Sequence, residues 1–329
     1  MKVLFIGGTG IISSACAQLA MDAGIEVTLL NRGQSQRPVP EGAEVLQADI
    51  RKPGSVREVL KGRSFDSIIN WITFTPQHVE TDIELFSDHT QQYIFISSAS
   101  VYQKPPARLP IVESSPLHNP FWEYSRNKIA CEERLIRAYR EAGFPITIVR
   151  PSHTYDKTLL PFDGGYTVLD RIRRGEKVVV HGDGTSLWVL THHRDFAKGF
   201  TGLIGNPHAL GEVFHITSDE LLTWNQIYEI IAKAAGVEVK KIHIPSEVIA
   251  RYDAEWGASL LGDKTHSVIF DNSKIKRLVP EFKAVIPFSR GVEEILAWYD
   301  GDKARQKVDE KLNRLMDRMI VDQEGIQPV

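Results

Sequence analysis

The chain has 329 residues, 42% hydrophobic and 25% charged, which is material for one large α/β domain with a smaller lobe, or for two domains. Its formal net charge of -3 supplies no basic stripe of the kind that marks a nucleic-acid surface. Two cysteines, Cys16 and Cys131, argue against a disulfide framework or a cysteine-based metal centre, and both fall in helical patterns as buried thiols. No stretch approaches the ~18 apolar residues of a membrane helix. The apolar run Val3–Ile6 stops at glycines without a cleavage site, so a cytoplasmic protein is expected.

Short β-rich runs alternate with helical patterns through the first half. Lys2–Ile6 reads as a buried strand, Ile11–Ala23 as a helix, Glu26–Asn31 and Val45–Gln47 as strands, Ser55–Leu60 as a helix. Ser67–Trp71 is a strand, Val79–Ser87 a helix, Gln92–Ser97 a strand, Glu123–Glu141 a long helix and Ile146–Arg150 a strand. Near-continuous apolar strands alternating with helices predict an α/β fold with a doubly wound parallel Rossmann sheet, its ligands at the carboxyl ends of the strands. Beyond Pro151 the pattern is irregular. Helices are predicted at Tyr166–Arg174, Asp195–Ile204, Trp224–Ala235 and Gly291–Tyr299, and strands at Val178–Val180 and Glu212–Thr217. The expected division is a dinucleotide-binding Rossmann domain over 1–160, completed by about 185–220, with a smaller interleaved C-terminal α/β substrate lobe from 161–184 and 221–302. A charged helix or tail follows over 303–329, where Val308, Leu312, Leu315 and Met319 recur at helical spacing, facing the same protomer or a partner.

Gly7-Gly8-Thr9-Gly10 follows a strand and opens a helix, the context that makes a glycine loop meaningful. Gly7 permits the tight turn. Gly10 lets a pyrophosphate approach the helix N-terminus at Ile11 and Ile12, where free N–H groups favour anions. Ser13 takes the third, small position. The second strand ends at Asn31-Arg32-Gly33, without the acid that accepts from the ribose 2′-OH of NAD. Arg32, with Arg37, suits a 2′-phosphate, so the cofactor is read as NAD or NADP, with a tilt toward NADP. Asp49 and Ile50 follow the third strand at the adenine position, Asp49 reading equally as a plain turn residue.

Tyr124 and Lys128 stand one helical turn apart. A tyrosine is a poor base at its free pKa of ~10. A nearby ammonium stabilises the phenolate, and the pair then moves a proton to or from a hydroxyl while hydride moves at the nicotinamide. The spacing alone is common; its place on the helix after the fifth strand gives it weight. Ser98, at the end of that strand, is within reach of the same oxygen or only terminates the strand.

On these residues the chain resembles the extended short-chain dehydrogenase/reductases of the NAD-dependent epimerase/dehydratase family. The resemblance runs from Gly7-x-x-Gly10 and Asp49-Ile50-Arg51 through Ser97-Ser98-Ala99-Ser100-Val101-Tyr102 and Tyr124-x-x-x-Lys128. It continues to Arg150-Pro151, Gly182-Asp183-Gly184 and Asp271-Asn272-Ser273-Lys274. It implies that Tyr124 transfers the proton, that Lys128 holds the nicotinamide ribose and tunes Tyr124, and that Ser98 orients the substrate hydroxyl. Asn70, Trp71 and Ile72 would line the cofactor, with Pro151, Ser152 and His153 beside the nicotinamide. Ser100 and Trp188 are the expected substrate-side positions. Trp188 stands where nucleotide-sugar relatives carry an Arg on the diphosphate, and Gln103 where a Gly commonly follows the Val-Tyr pair; Arg194 and Lys264 are the candidate replacements for the guanidinium. The Asn31-Arg32-Gly33 ending is similar to that of an atypical branch, the chloroplast stem-loop-binding proteins, some of which bind RNA. The retained Tyr124 and Lys128 point to an enzyme.

The expected function is therefore that of an NAD(P)-dependent oxidoreductase on a sugar or nucleotide-sugar hydroxyl, an epimerase or dehydratase working through a transient ketone. An NADP-dependent carbonyl reductase is the second enzyme reading. The rival from another class is a cofactor-bound RNA-binding or regulatory protein without turnover. Expected partners are a small sugar-derived substrate and a second copy through the Val79–Ser87 and Glu123–Glu141 helices; neither nucleic acid nor a membrane is expected. His192-His193-Arg194-Asp195 lacks a further ligand at supporting spacing, so no metal site is expected.

Overall fold

The computed structural model describes residues 1–325. In chain order its first half runs β1 (Lys2–Ile6), α1 (Ile11–Asp22), β2 (Glu26–Asn31), β3 (Glu44–Gln47), α2 (Pro53–Leu60), β4 (Phe65–Asn70), α3 (Pro76–Phe86), β5 (Thr90–Ile96), α4 (Glu123–Ala142) and β6 (Ile146–Pro151). Next come β7 (His153–Tyr155), α5 (Tyr166–Arg173), β8 (Lys177–His181), β9 (Leu187–Trp188), β10 (Leu190–His192), α6 (His193–Thr201), β11 (Val213–Ile216) and β12 (Leu222–Thr223). The chain closes with α7 (Trp224–Ala234), β13 (Lys240–Ile244), α8 (Ser246–Tyr252), α9 (Ala254–Ser259), α10 (Ser273–Leu278), α11 (Phe288–Asp300) and α12 (Glu310–Glu324).

Seven strands form one parallel sheet in the order β11-β6-β5-β4-β1-β2-β3. The chain winds outward from β1 to β3 on one side and from β4 to β11 on the other. The winding reverses between β1 and β4, and there the loops splay apart into a crevice. Successive residues of β1 serve opposite faces. Val3 and Phe5 pack with Cys16, Ala17, Phe196 and Phe200 of α1 and α6. Leu4 and Ile6 pack with Val56, Val79, Cys131 and Leu135 of α2, α3 and α4. All four strand residues are fully buried, which is why β1 is apolar throughout rather than alternating.

A third core lies under the second half, where β8 pairs with β13 and α5, α7, α11 and α12 close around Trp188 and Trp224. Its strands are short, and β7, β9, β10, β12 and β13 carry too little periodicity to read from sequence. The tail also differs from expectation. Lys303–Arg305 is a 3-10 turn, and α12 starts only at Glu310, because Asp309 accepts from Lys311 N at 2.9 Å and Leu312 N at 3.0 Å and so caps the helix. The helix packs on its own chain: at Gly164 (φ +97°) a Cβ would stand 2.2 Å from Leu312 Cδ2. Among the described residues no helix is long and apolar enough to cross a membrane.

The carboxyl edge of the sheet is pinned by a buried ion pair. Arg150, at the end of β6, meets Glu132 of α4 through Nε at 3.0 Å and Nη2 at 2.5 Å, and Ser97 donates to the same carboxylate. Glu132 is fully buried. Arg150→Met should therefore lower stability by about 3–5 kcal/mol, since it strands a carboxylate away from water; chemical denaturation would measure the loss.

Candidate active site

The glycine loop is built for close approach. Gly7 has φ +83°, and a Cβ there would stand 2.8 Å from Ile72 Cγ2, in the loop after β4. Ser13 accepts from Gly10 N at 2.7 Å and donates to Gly7 O at 2.9 Å. The residue that departs from the glycine pattern thus stitches the loop closed from inside. The loop opens onto a groove of about 610 Å³ whose walls include Gly7, Gly10, Asn31, Arg32, Ile50 and Ile72. Its shape and the helix N-terminus at Ile11 and Ile12 fit the pyrophosphate and adenosine of a dinucleotide.

Several residues expected along this groove are turned elsewhere. Asp49 accepts from Arg51 N at 3.0 Å, a turn contact, while its neighbours Ala48 and Ile50 form the wall. Asn70 is fully buried, donating to Asp82 Oδ2 at 2.9 Å and accepting from Ile72 N at 3.0 Å. Trp71 packs its ring against Phe5 and Phe200, at 5.8 and 4.9 Å between centroids. Of these three residues only Ile72 reaches the groove, because the buried carboxylate of Asp82 draws the Asn70 amide inward. The tilt toward NADP has no support. Arg32 is exposed, and Arg37 is held by Asp156 at 2.7 Å and by Thr158. Burial works to raise the Asp156 carboxyl, but the Arg37 guanidinium and Thr158 outweigh it and hold it below the usual range.

At the carboxyl end of β5, Ser98 lies beside the phenol of Tyr124. Burial pushes the Tyr124 phenol up to about 12, with Ser98 opposing. Lys128 does not meet the phenol. Its Nζ donates to Thr73 O and Ile96 O, each at 2.7 Å, and lies 5.9 Å from the Tyr124 ring centre. Burial lowers its pKa to about 8. The expected phenolate stabilisation is thus absent from this arrangement, and Tyr124 carries its proton at neutral pH.

Two substrate-side expectations are corrected. Ser100 is 2% exposed and lies behind Ser98, bonded to Ser98 Oγ at 2.9 Å and to Ser125 Oγ at 2.7 Å; it orients Ser98 rather than facing a ligand. Trp188 is 3% exposed and packs 5.5 Å from Trp224 in the third core, because β9 turns it inward. Arg194, one candidate for the missing guanidinium, pairs with Glu294 at the surface. Lys264, the other, lies 5.8 Å from the Trp122 ring, beside Tyr124. Pro151 ends β6 in the core. His153 follows it with a buried Nε2 that has no partner among the described residues, and burial holds it neutral, with a pKa of about 3.

Sequence reasoning missed Asp82. Its carboxylate accepts from Thr73 Oγ1 at 2.6 Å and Tyr93 OH at 2.6 Å as well as from Asn70, and Thr73 in turn presents its carbonyl to Lys128. A signal existed: Val79, Asp82, Leu85 and Phe86 form the buried stripe of α3, an acid within an apolar face. Buried Lys104 and partly exposed Asp263, 3.6 Å apart, were missed too. His192 accepts from Arg194 N and faces Glu294, and among the described residues no group of three or more His, Cys, Asp or Glu stands together for a metal ion.

The reversed winding, the glycine cradle and the Tyr124–Ser98–Lys128 cluster define a dinucleotide-dependent enzyme of the short-chain dehydrogenase/reductase class. The chain belongs to the NAD dependent epimerase/dehydratase family, whose sequence pattern matches residues 3–217. It is similar to the 2'-dehydrokanamycin reductase of Streptomyces kanamyceticus, 24% identical over 91% of this chain and 84% of that protein. It is also similar to the chloroplast stem-loop binding protein of 41 kDa b of Arabidopsis thaliana, 27% identical over 71% of this chain and 63% of that protein. Its fold matches the UDP-glucose 4-epimerase of Bifidobacterium longum, solved with NAD+ and UDP, with a TM-score of 0.74, 18% identity, and 93% and 100% of the two chains covered.

If the ammonium of Lys128 is required, activity should fall on the alkaline side with an apparent pKa of about 8, as Lys128 loses its proton. Lys128→Arg, which stays charged, should move that limb beyond about pH 10 if it retains turnover; an unchanged limb in a pH–rate profile would assign it to another group. Trp188→Arg should cost at least about 3 kcal/mol, because it buries a charge where an indole packs, and thermal unfolding would register it.

Proposed function

We propose that this protein moves hydride between a nicotinamide dinucleotide and a carbinol carbon of a sugar-derived substrate, as an epimerase or dehydratase that regenerates its cofactor. The observation that carries the reading is that Ser98, just after β5, lies beside the phenol of Tyr124 on α4, with Lys128 one turn along the same helix and the glycine cradle following β1 of the same sheet. The dinucleotide, when bound, supplies the hydride acceptor and donor. The protonated Tyr124 gives its proton to a ketone oxygen as hydride reaches the carbon, and the phenolate so formed takes the hydroxyl proton as hydride leaves on reversal; Ser98 holds the same oxygen in line, and the Ser100–Ser125 chain holds Ser98. Lys128, its ammonium seated on the Thr73 and Ile96 carbonyls, has a third N–H to donate to a ribose hydroxyl. We assign substrate binding to the segments 161–184 and 221–302.

A second reading, a carbonyl reductase, draws on two observations. Tyr124 is protonated at neutral pH, the form that gives a proton to a ketone. One relative is named as a 2'-dehydrokanamycin reductase.

Tyr124→Phe should abolish turnover while leaving dinucleotide affinity within about twofold, because the phenol hydroxyl acts on the transferred proton; isothermal titration and a steady-state assay separate the two effects. Denaturing the purified protein should release one equivalent of dinucleotide. An empty protein that consumes reduced dinucleotide with a ketone substrate would favour the reductase.

A further inference from the structure

The loops after β2 and β7 are joined at the dinucleotide groove by an ion pair. Arg37 Nη1 lies 2.7 Å from Asp156 Oδ2, and Arg37 Nη2 donates to Thr158 Oγ1. The other carboxylate oxygen, Oδ1, accepts from Thr158 N at 2.8 Å and Thr158 Oγ1 at 2.6 Å. Asp156 is 5% exposed, so its charge is buried and its partners are few and fixed. Arg37 lines the groove with Gly10 and Arg32. Asp156 lies on the loop after β7, near His193 at the start of α6. The ion pair therefore ties a residue of the groove wall to the loop beyond His153.

We propose that Arg37 and Asp156 form a clasp that retains the dinucleotide and makes Asp156 a specificity-determining residue favouring NAD. The proposal rests on the reading of the groove as the dinucleotide site. With the pair closed, departure of the cofactor requires that an ion pair with a buried carboxylate part first, which slows release rather than association. A 2′-phosphate at the ribose can recruit Arg37 only by taking it from Asp156. That exchange leaves a buried carboxylate without its cation, a penalty NAD does not incur. Arg32, exposed and on one side only, is then the sole guanidinium free to meet the phosphate from the loop after β2.

The test is stopped-flow fluorescence of NADH and NADPH release from the full chain, by displacement with excess oxidised cofactor. Arg37→Ala and Asp156→Asn should each speed NADH release by at least about tenfold, and the double variant should be no faster than the singles, since one interaction is lost in all three. Asp156→Asn alone leaves the guanidinium free, so NADPH should tighten about tenfold relative to NADH. Exchanging the two charges, Arg37→Asp with Asp156→Arg, should bring slow release back. Arg37 is half-exposed, so Arg37→Ala reports even if a change at buried Asp156 disturbs folding. NADH release within about twofold of the parent protein in Arg37→Ala overturns the clasp. So does a loss confined to NADPH in that variant, which would make Arg37 a 2′-phosphate ligand. Failure of the parent protein to bind either nucleotide would remove the reading of the groove itself, and the clasp with it.

Discussion

A buried carboxylate on α3 holds the two halves of the site in register. Asp82 gathers hydrogen bonds from Asn70, Thr73 and Tyr93, and all four side chains lie out of solvent. The loop after β4 is drawn down onto it. That descent brings Ile72 against Gly7, where only a residue without a Cβ fits, and places the Thr73 carbonyl under Lys128. Cradle and proton-transfer cluster are thus set by one loop on one acid. The arrangement works against stability. Burial pushes the Asp82 carboxyl up to about 6 from its ordinary 3.8. With the folded value above the unfolded one, the group's favourable contribution is fully present below about pH 4 and is lost as pH rises through about 6. At neutral pH the protein carries that penalty at the point where its site is assembled.

The reactive groups share this tension. Burial lowers Lys128 and raises Tyr124, so each is pushed toward its uncharged form. Main-chain carbonyls of Thr73 and Ile96 compensate the ammonium, and Ser98 compensates the phenol. Neither compensates the other directly. The Arg150–Glu132 pair beneath them is of a different kind, a two-point contact between a strand end and the helix that carries Tyr124 and Lys128. It fixes where α4 stands relative to β5 and β6.

Much of the architecture was legible because it is written in local patterns. The apolar run of β1 followed by Gly7 and a helix, and the position of Tyr124 and Lys128 after the fifth strand, led to a parallel dinucleotide fold, and the sheet has that order. Failures cluster where a residue's neighbourhood in sequence was taken for its neighbourhood in space. Ser100 sits two residues from Ser98 and Asn70 two from Ile72, yet Ser100 and Asn70 point into the interior. Trp188 was read as a missing arginine; it is a core residue packed against Trp224. The tail helix was placed too early because a hydrophobic spacing does not show where Asp309 caps it.

The sequence by itself determined the strand and helix alternation, the turn that only Gly7 tolerates, and the family. Each of these depends on backbone conformation or on residues within a few positions of one another. The tertiary structure alone decided which side chains face the groove, that Lys128 rests on Thr73 and Ile96, and that Arg37 meets Asp156 across 119 residues of chain. Such contacts follow from how the winding reverses between β1 and β4 and from which buried charge finds a partner. Those outcomes are energies of the assembled fold, and no local pattern encodes them.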